Sequence, residues 1–128
     1  MINIEYVKIG KFEYPVCFSF AASKALIQKY GSAEALSKKL STLKDNQIEG
    51  MDLMIDMLEL LIAQGCRYKN IIDEGMPLNE KAHIKDGKYI PIDKEKIELS
   101  LDINEIAKIS DIVLSLITTE EGTEAEKN

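Results

Sequence analysis

Apolar and polar residues alternate from the start of the chain. Over residues 2–9, Ile2, Ile4, Tyr6 and Lys8 share one side, and Val7 and Ile9 lie on the other. This period of two, carried by β-branched and aromatic residues, predicts a strand. Gly10-Lys11 supplies a turn, and Glu13 to Phe18 reads as the return strand. Pro15 has no N–H to give to a ladder, so this strand lies at an edge or starts late. A β-hairpin therefore opens the chain. The period then changes. Ser19 can cap a helix whose Ala22, Ala25 and Leu26 recur at helical spacing, and Gly31 stops it. Ser32 starts a second, shorter helix over residues 33–40, with Leu36 and Leu40 on one side.

The strongest pattern follows. Asp45 or Asn46 begins it; with Asn46 as cap, Glu49 stands three residues on in a capping-box arrangement, and the element is predicted from Gln47 to Gln64, ended by Gly65. At 100° per residue, Glu49, Asp52, Asp56 and Glu59 fall within about 80° of arc, and apolar side chains from Ile48 to Ile62 cover roughly 240°. A helix packed on one side needs an apolar stripe of only about 100°. The rest of this one must be covered, by this chain or by another.

Residues 70–81 read as a connection, punctuated by Gly75, Met76 and Pro77. Asp86-Gly87 is a tight-turn signal between His83-Ile84-Lys85 and Lys88-Tyr89-Ile90, which predicts a second small hairpin closed by Pro91. Asp93 caps a short helix over residues 94–100. Ile97, Leu99 and Leu101 also alternate as a strand would, but the acidic cap and the i, i+4 pair Ile97/Leu101 favour the helix. Asp102 and Glu105 announce a last helix, with Ile103, Ile106, Ile109, Val113 and Leu116 along it, ending near Thr118. The expected organisation is one globular domain over residues 1–118 and an acidic tail over 119–128 without structure. The fold class is α+β and mostly helical: an N-terminal hairpin packed on four or five helices, with a small hairpin near 83–90.

Composition narrows the roles. The 128 residues carry 16 basic and 22 acidic side chains, and the only Arg is Arg67. A net charge of −6 without a concentrated basic surface argues against nucleic acid as a partner. No apolar run reaches the roughly 18 residues of a membrane span, and the first residues lack the layout of a signal peptide, so a cytoplasmic protein is expected. Cys17 and Cys66 are too few for a disulfide scaffold and lack companions for zinc, which suits buried, reduced thiols.

No constellation marks a catalyst. His83 has no nucleophile or ligand beside it and reads as a loop residue, and the seven glycines stand singly, without a phosphate loop. No catalytic, cofactor or metal residue is assigned. The four-carboxylate stripe reads first as a solvated face and second as a docking strip for a basic partner. Met51, Met54, Met57 and Met76 suit either core gap-filling or a pliable contact surface. Tyr6, Phe12, Tyr14, Phe18 and Phe20 suit either a hairpin–helix core or an exposed edge that pairs with a neighbouring subunit. From the wide apolar arc and the aromatic hairpin, the candidate protein-contact residues are Tyr14, Phe18, Met51, Met54, Met57, Leu60 and Leu61.

The run from Ile9 through Tyr14-Pro15-Val16-Cys17-Phe18 to Phe20, the helix Ala21 to Leu26, and the break at Tyr30-Gly31-Ser32 together resemble the opening of tail assembly chaperones of tailed bacteriophages and prophages. The Asp93 to Ile117 region is also similar, with its Lys-Ile-Glu-Leu and Asp-Ile-Asn-Glu-Ile runs and closing apolar helix. The hairpin at Ala82–Pro91 departs from that pattern. The resemblance implies a non-enzymatic protein of the bacterial host cytoplasm. It would bind the long helical tape measure protein before the tail tube polymerises, self-associate, and use no cofactor. It further implies that a longer, frameshifted form accompanies many relatives. The alternative is a small phage structural or head–tail connector protein. An acidic, charged body with one wide apolar helix face fits the first role on physical grounds, because a helical client needs apolar surface and the complex needs charge to remain dissolved.

Overall fold

The computed structural model describes residues 2–41 and 47–127, with the side chains at 33, 37, 40, 41, 47 and 117–127 outside the described set. The first strand, β1 (Ile4–Ile9), pairs antiparallel with β2 (Phe12–Cys17), in a register that puts Ile9 opposite Phe12 and Tyr6 opposite Pro15. Gly10 takes φ 64° as the first central residue of the two-residue connection, the backbone a tight hairpin needs and one that an L side chain resists. Ladder bonds alternate inward and outward from Ile9/Phe12, so Pro15 occupies a position whose missing N–H faces away from β1.

Helix α1 (Phe20–Tyr30) begins where Ser19 Oγ accepts the Ala22 N–H at 3.1 Å, and ends where Gly31, at φ 98°, donates to the Ile27 carbonyl at 2.7 Å. Helix α2 (Ala33–Ser41) opens with the Ala35 N–H on Ser32 Oγ at 3.0 Å. Both starts follow the capping chemistry of serine. The long helix α3 (Gln47–Ile71) comes next, and the cap expected at Asn46 lies outside the described residues. Its end corrects the sequence reading. The helix does not stop at Gly65 but continues to Ile71. Gly65 is an interior position chosen for closeness, since a Cβ there would stand 2.9 Å from the Val16 nitrogen and nearer still to the Pro15 carbonyl. A helix backbone can reach a strand edge this closely only without a side chain between them.

The second hairpin, β3 (Ile84–Lys85) and β4 (Lys88–Tyr89), turns through Asp86 and Gly87, both at positive φ. Its surroundings show what it does. The Glu13 N–H donates to the Lys81 carbonyl at 2.8 Å and Glu13 bridges to Ala82, so this segment covers the outer edge of β2. Asn70, at the end of α3, accepts the Tyr89 N–H at 2.8 Å and donates to the Tyr89 carbonyl at 3.1 Å, standing in for a strand neighbour. An exposed strand edge invites pairing with another chain, and β2 has lost that freedom.

Helix α4 (Lys94–Ser100) starts at the Asp93 cap. Helix α5 (Ile103–Lys127) starts with a reciprocal box: Asp102 Oδ1 accepts the Glu105 N–H at 2.8 Å, and Glu105 Oε1 accepts the Asp102 N–H at 3.1 Å. The helix runs past the Thr118 boundary read from the sequence, and only backbone is described from residue 117 on. The architecture is mostly helical α+β. Helix α3 is its axis: β2, β4, α1, α2, α4 and α5 all pack against it. No described helix is long and apolar enough to cross a membrane.

Candidate functional site

The 240° apolar arc of α3 now has an account. Met54, Ile55, Met57, Leu58, Leu61 and Ile62 are buried by the chain's own elements, Met57 and Leu61 completely. Burying such side chains is worth about 2 kcal/mol each, so this arc is the stabilising core of a small domain. Of the candidate contact residues, Tyr14, Met54, Met57 and Leu61 are therefore core, which corrects the reading of them as shared surface. Phe18, Met51 and Leu60 are half-buried and remain open to contact. Of the aromatics, Tyr14 is buried, and Phe20, at 82% exposed, lies outside the core. Met76 is exposed in the connection after α3, apart from the methionines of the helix.

The acidic stripe is not simply solvated. Lys94 Nζ lies 2.8 Å from Asp52 Oδ1 and 2.9 Å from Asp56 Oδ1, and the Lys94 N–H donates to Glu59 Oε2 at 2.6 Å. Asp93 Oδ1 accepts the Lys96 N–H at 2.9 Å, so the start of α4 meets one carboxylate of its own and one from α3. Unpaired N–H groups at a helix start, together with its dipole, favour negative charge there. Hydrogen bonds to Asp52 and then Asp56 hold the Lys94 ammonium above the usual lysine range. The basic partner of the stripe, in this structure, is the chain's own fourth helix. Beside it, burial and then the negative charge of Asp56 push the Tyr30 phenol up to about 12, and its hydroxyl is buried without a hydrogen-bond partner among the described residues.

The N-terminal part of α3 is less covered. A groove of about 320 Å³ opens there, lined by Ile48, Met51 and Ile55 of α3 and Ile106 of α5, with Glu49, Asp52 and Glu98 among its walls. Ile48 is 76% exposed. A second depression, of about 530 Å³, lies along Leu60 and Ala63 of α3, Lys29 of α1 and the 91–93 segment before α4.

The remaining chemistry-bearing residues are held in packing. Cys17 and Cys66 are free and buried, and burial pushes the Cys66 thiol up to about 12, far from the thiolate a nucleophile needs. The His83 ring stacks on Phe12 with centroids 4.6 Å apart and meets Tyr14 edge-on at 6.2 Å, and its Nδ1 is buried without a partner among the described residues. Among the described residues, no group of three or more His, Cys, Asp or Glu side chains is placed to hold a metal ion.

Sequence reasoning missed Lys94, Glu98 and Ile106. Lys94 sits 35 residues beyond Glu59, and nothing local marks a lysine after an acidic cap as the partner of a distant stripe. Glu98 and Ile106 join the groove only because α4 and α5 fold back on α3. No family model matches the chain, and neither a curated protein nor a solved structure matches it.

Proposed function

We propose that the chain is a tail assembly chaperone of the tailed-bacteriophage and prophage type, which binds a helical segment of a tape measure protein, self-associates, and catalyses no reaction. The observation that carries this reading is the groove where Ile48, Met51 and Ile106 reach solvent over the buried Ile55, the least covered stretch, among the described residues, of a helix otherwise sheathed by its own chain. The order of elements supports it: a hairpin ending near Tyr14-Pro15, a helix broken at Gly31, a long apolar helix and an acidic helical C-terminal region, as in the family the sequence resembles. Burial of a few hundred Å² of apolar client surface, at about 25 cal/mol per Å², supports binding that is specific and still reversible once association entropy is subtracted. Reversibility suits a protein that must leave its client as the tail tube closes.

Co-expression with a tape measure protein of a tailed phage or prophage tests the reading. The client is expected in the soluble fraction when the chain is present and in aggregates when it is absent, and purified particles are expected to lack the chain. A client unaffected by the chain, or a chain retained in finished particles, overturns it; the latter outcome favours a connector or other structural component.

A further inference from the structure

Resting on the self-association in that reading, we infer that the chain dimerises through the open edge of β1, which pairs antiparallel with β1 of a second copy. The hairpin has two edges, and the chain treats them differently. On β2 the Glu13 N–H is taken by the Lys81 carbonyl, Pro15 has no N–H to offer, and the Pro15 carbonyl lies against Gly65. On β1 no such cover exists among the described residues. Counting from the Ile9/Phe12 pair that closes the turn, the N–H and C=O groups of Ile4, Tyr6 and Lys8 point away from β2. No backbone group among the described residues meets them, and no strand other than β2 runs beside β1. The strand holds no proline, and its register runs without a bulge from Ile4 to Ile9.

These groups select a strand, since extended backbone presents donors and acceptors at the same spacing. They also select a register. With Tyr6 of each copy on the two-fold axis, Ile4 stands opposite Lys8 and all three outward residues are matched, for about six hydrogen bonds. The charges of the strand agree with this register. Glu5 lies opposite Val7 and the Lys8 stem lies over Ile4, so no like charges face each other. Moving the axis to Glu5 sets Glu5 directly against Glu5 of the second copy. Moving it to Val7 leaves Ile4 opposite the turn at Gly10 and fewer bonds formed.

A second copy is the occupant because the edge is its own complement and the pairing then stops. The joined sheet runs β2-β1-β1-β2, and its outer edges are those each chain has already covered. Such an assembly closes at two and does not grow. Size sets its strength. A six-residue strand spans about 20 Å and covers less than the roughly 800 Å² per partner of a stable interface. The dimer is therefore weak, with Kd expected at about 10–100 μM, and the charge of −6 on each copy means that added salt tightens it.

Sedimentation velocity on the whole chain, from about 5 to 500 μM and at about 50 and 300 mM NaCl, is expected to show monomer and dimer without larger species. Lys8→Pro removes an outward N–H and leaves the ladder to β2 whole, so it is expected to weaken dimerisation at least tenfold with an unchanged circular dichroism spectrum. Lys8→Ala keeps the N–H and is expected to dimerise as the parent does. Cross-linking reads the register, and decides the matter should Lys8→Pro fail to fold. Ile4→Cys mixed with Lys8→Cys is expected to give a disulfide-linked dimer under mild oxidation, the natural thiols being buried. Lys8→Cys alone is expected to give none, because its two positions lie about 14 Å apart along the strands. A chain still monomeric at about 500 μM, a folded Lys8→Pro that dimerises as the parent does, or no cross-link in the mixture overturns the inference. So does a monomeric chain whose hold on a client is lost in Lys8→Pro, which makes a strand of the client the occupant. The two readings fail separately: a client kept soluble by a chain that stays monomeric sinks the edge and spares the chaperone, whereas an edge dimer without any effect on the client does the reverse.

Discussion

Gly65 rests on the Pro15 carbonyl: the axis helix and the edge of the first hairpin meet there with no side chain between them. Gly65→Ala should gain about 1 kcal/mol in intrinsic helix preference and lose more through overlap with backbone that cannot swing aside. A net loss of about 2 kcal/mol is expected, seen as a lower urea midpoint with an unchanged slope. An unchanged or higher midpoint contradicts the close approach.

Lys94 fastens the fourth helix to the third. Lys94→Met keeps the apolar stem and removes the charge from Asp52 and Asp56. These groups are partly exposed, so solvent screens the pairs and the expected loss is about 1 kcal/mol at low salt, shrinking as salt is added. Glu59→Gln retains an acceptor for the Lys94 N–H but removes charge from the helix start, and should cost a few tenths of a kcal/mol. Thermal melts at two salt concentrations separate the two effects. A Lys94→Met loss that does not depend on salt assigns the contribution to packing instead.

Alkali should loosen the fold in a defined order. The Cys66 thiol is raised from 9.0 to about 12 and the Tyr30 phenol from 10.0 to about 12. In the folded chain each keeps its proton at pH values where the unfolded chain has released it. Their contribution is therefore whole below 9.0 and 10.0 respectively, and is lost as pH rises from there toward about 12. Lys94, held above its ordinary 10.5, adds a loss of the same sign at higher pH. Tm should be flat through neutrality and fall from about pH 9 upward, and Cys66→Ala should remove the earliest part of the fall. A Tm for the parent that holds level to about pH 11 contradicts the burial of both groups.

The groove was only half legible beforehand. Ile48, Met51 and Ile55 belong to a pattern any helical projection displays, but the same projection places Met54, Met57 and Leu61 beside them as equals. Periodicity reports which side chains avoid water and is silent on what covers them. Six elements cover the larger part of the arc and, among the described residues, leave its N-terminal end the least covered, and that division depends on where α4 and α5 return. Gly65 shows the same limit: a glycine after an apolar helix reads as a stop, and only the position of Pro15 reveals it as a contact.

What the sequence determined by itself was local. The hairpin turns at Gly10 and at Asp86-Gly87, the caps at Ser19, Ser32, Asp93 and Asp102, and the break at Gly31 all follow from backbone preferences and side-chain hydrogen bonds reaching two or three residues. The tertiary structure decided everything that joins distant residues: that α3 is an axis and not a naked amphiphile, that its acids clasp Lys94, and that an apolar groove with acidic walls remains at one end. Local rules act through neighbours along the chain, whereas burial and ion pairing act through space, and only the folded arrangement says which surfaces meet.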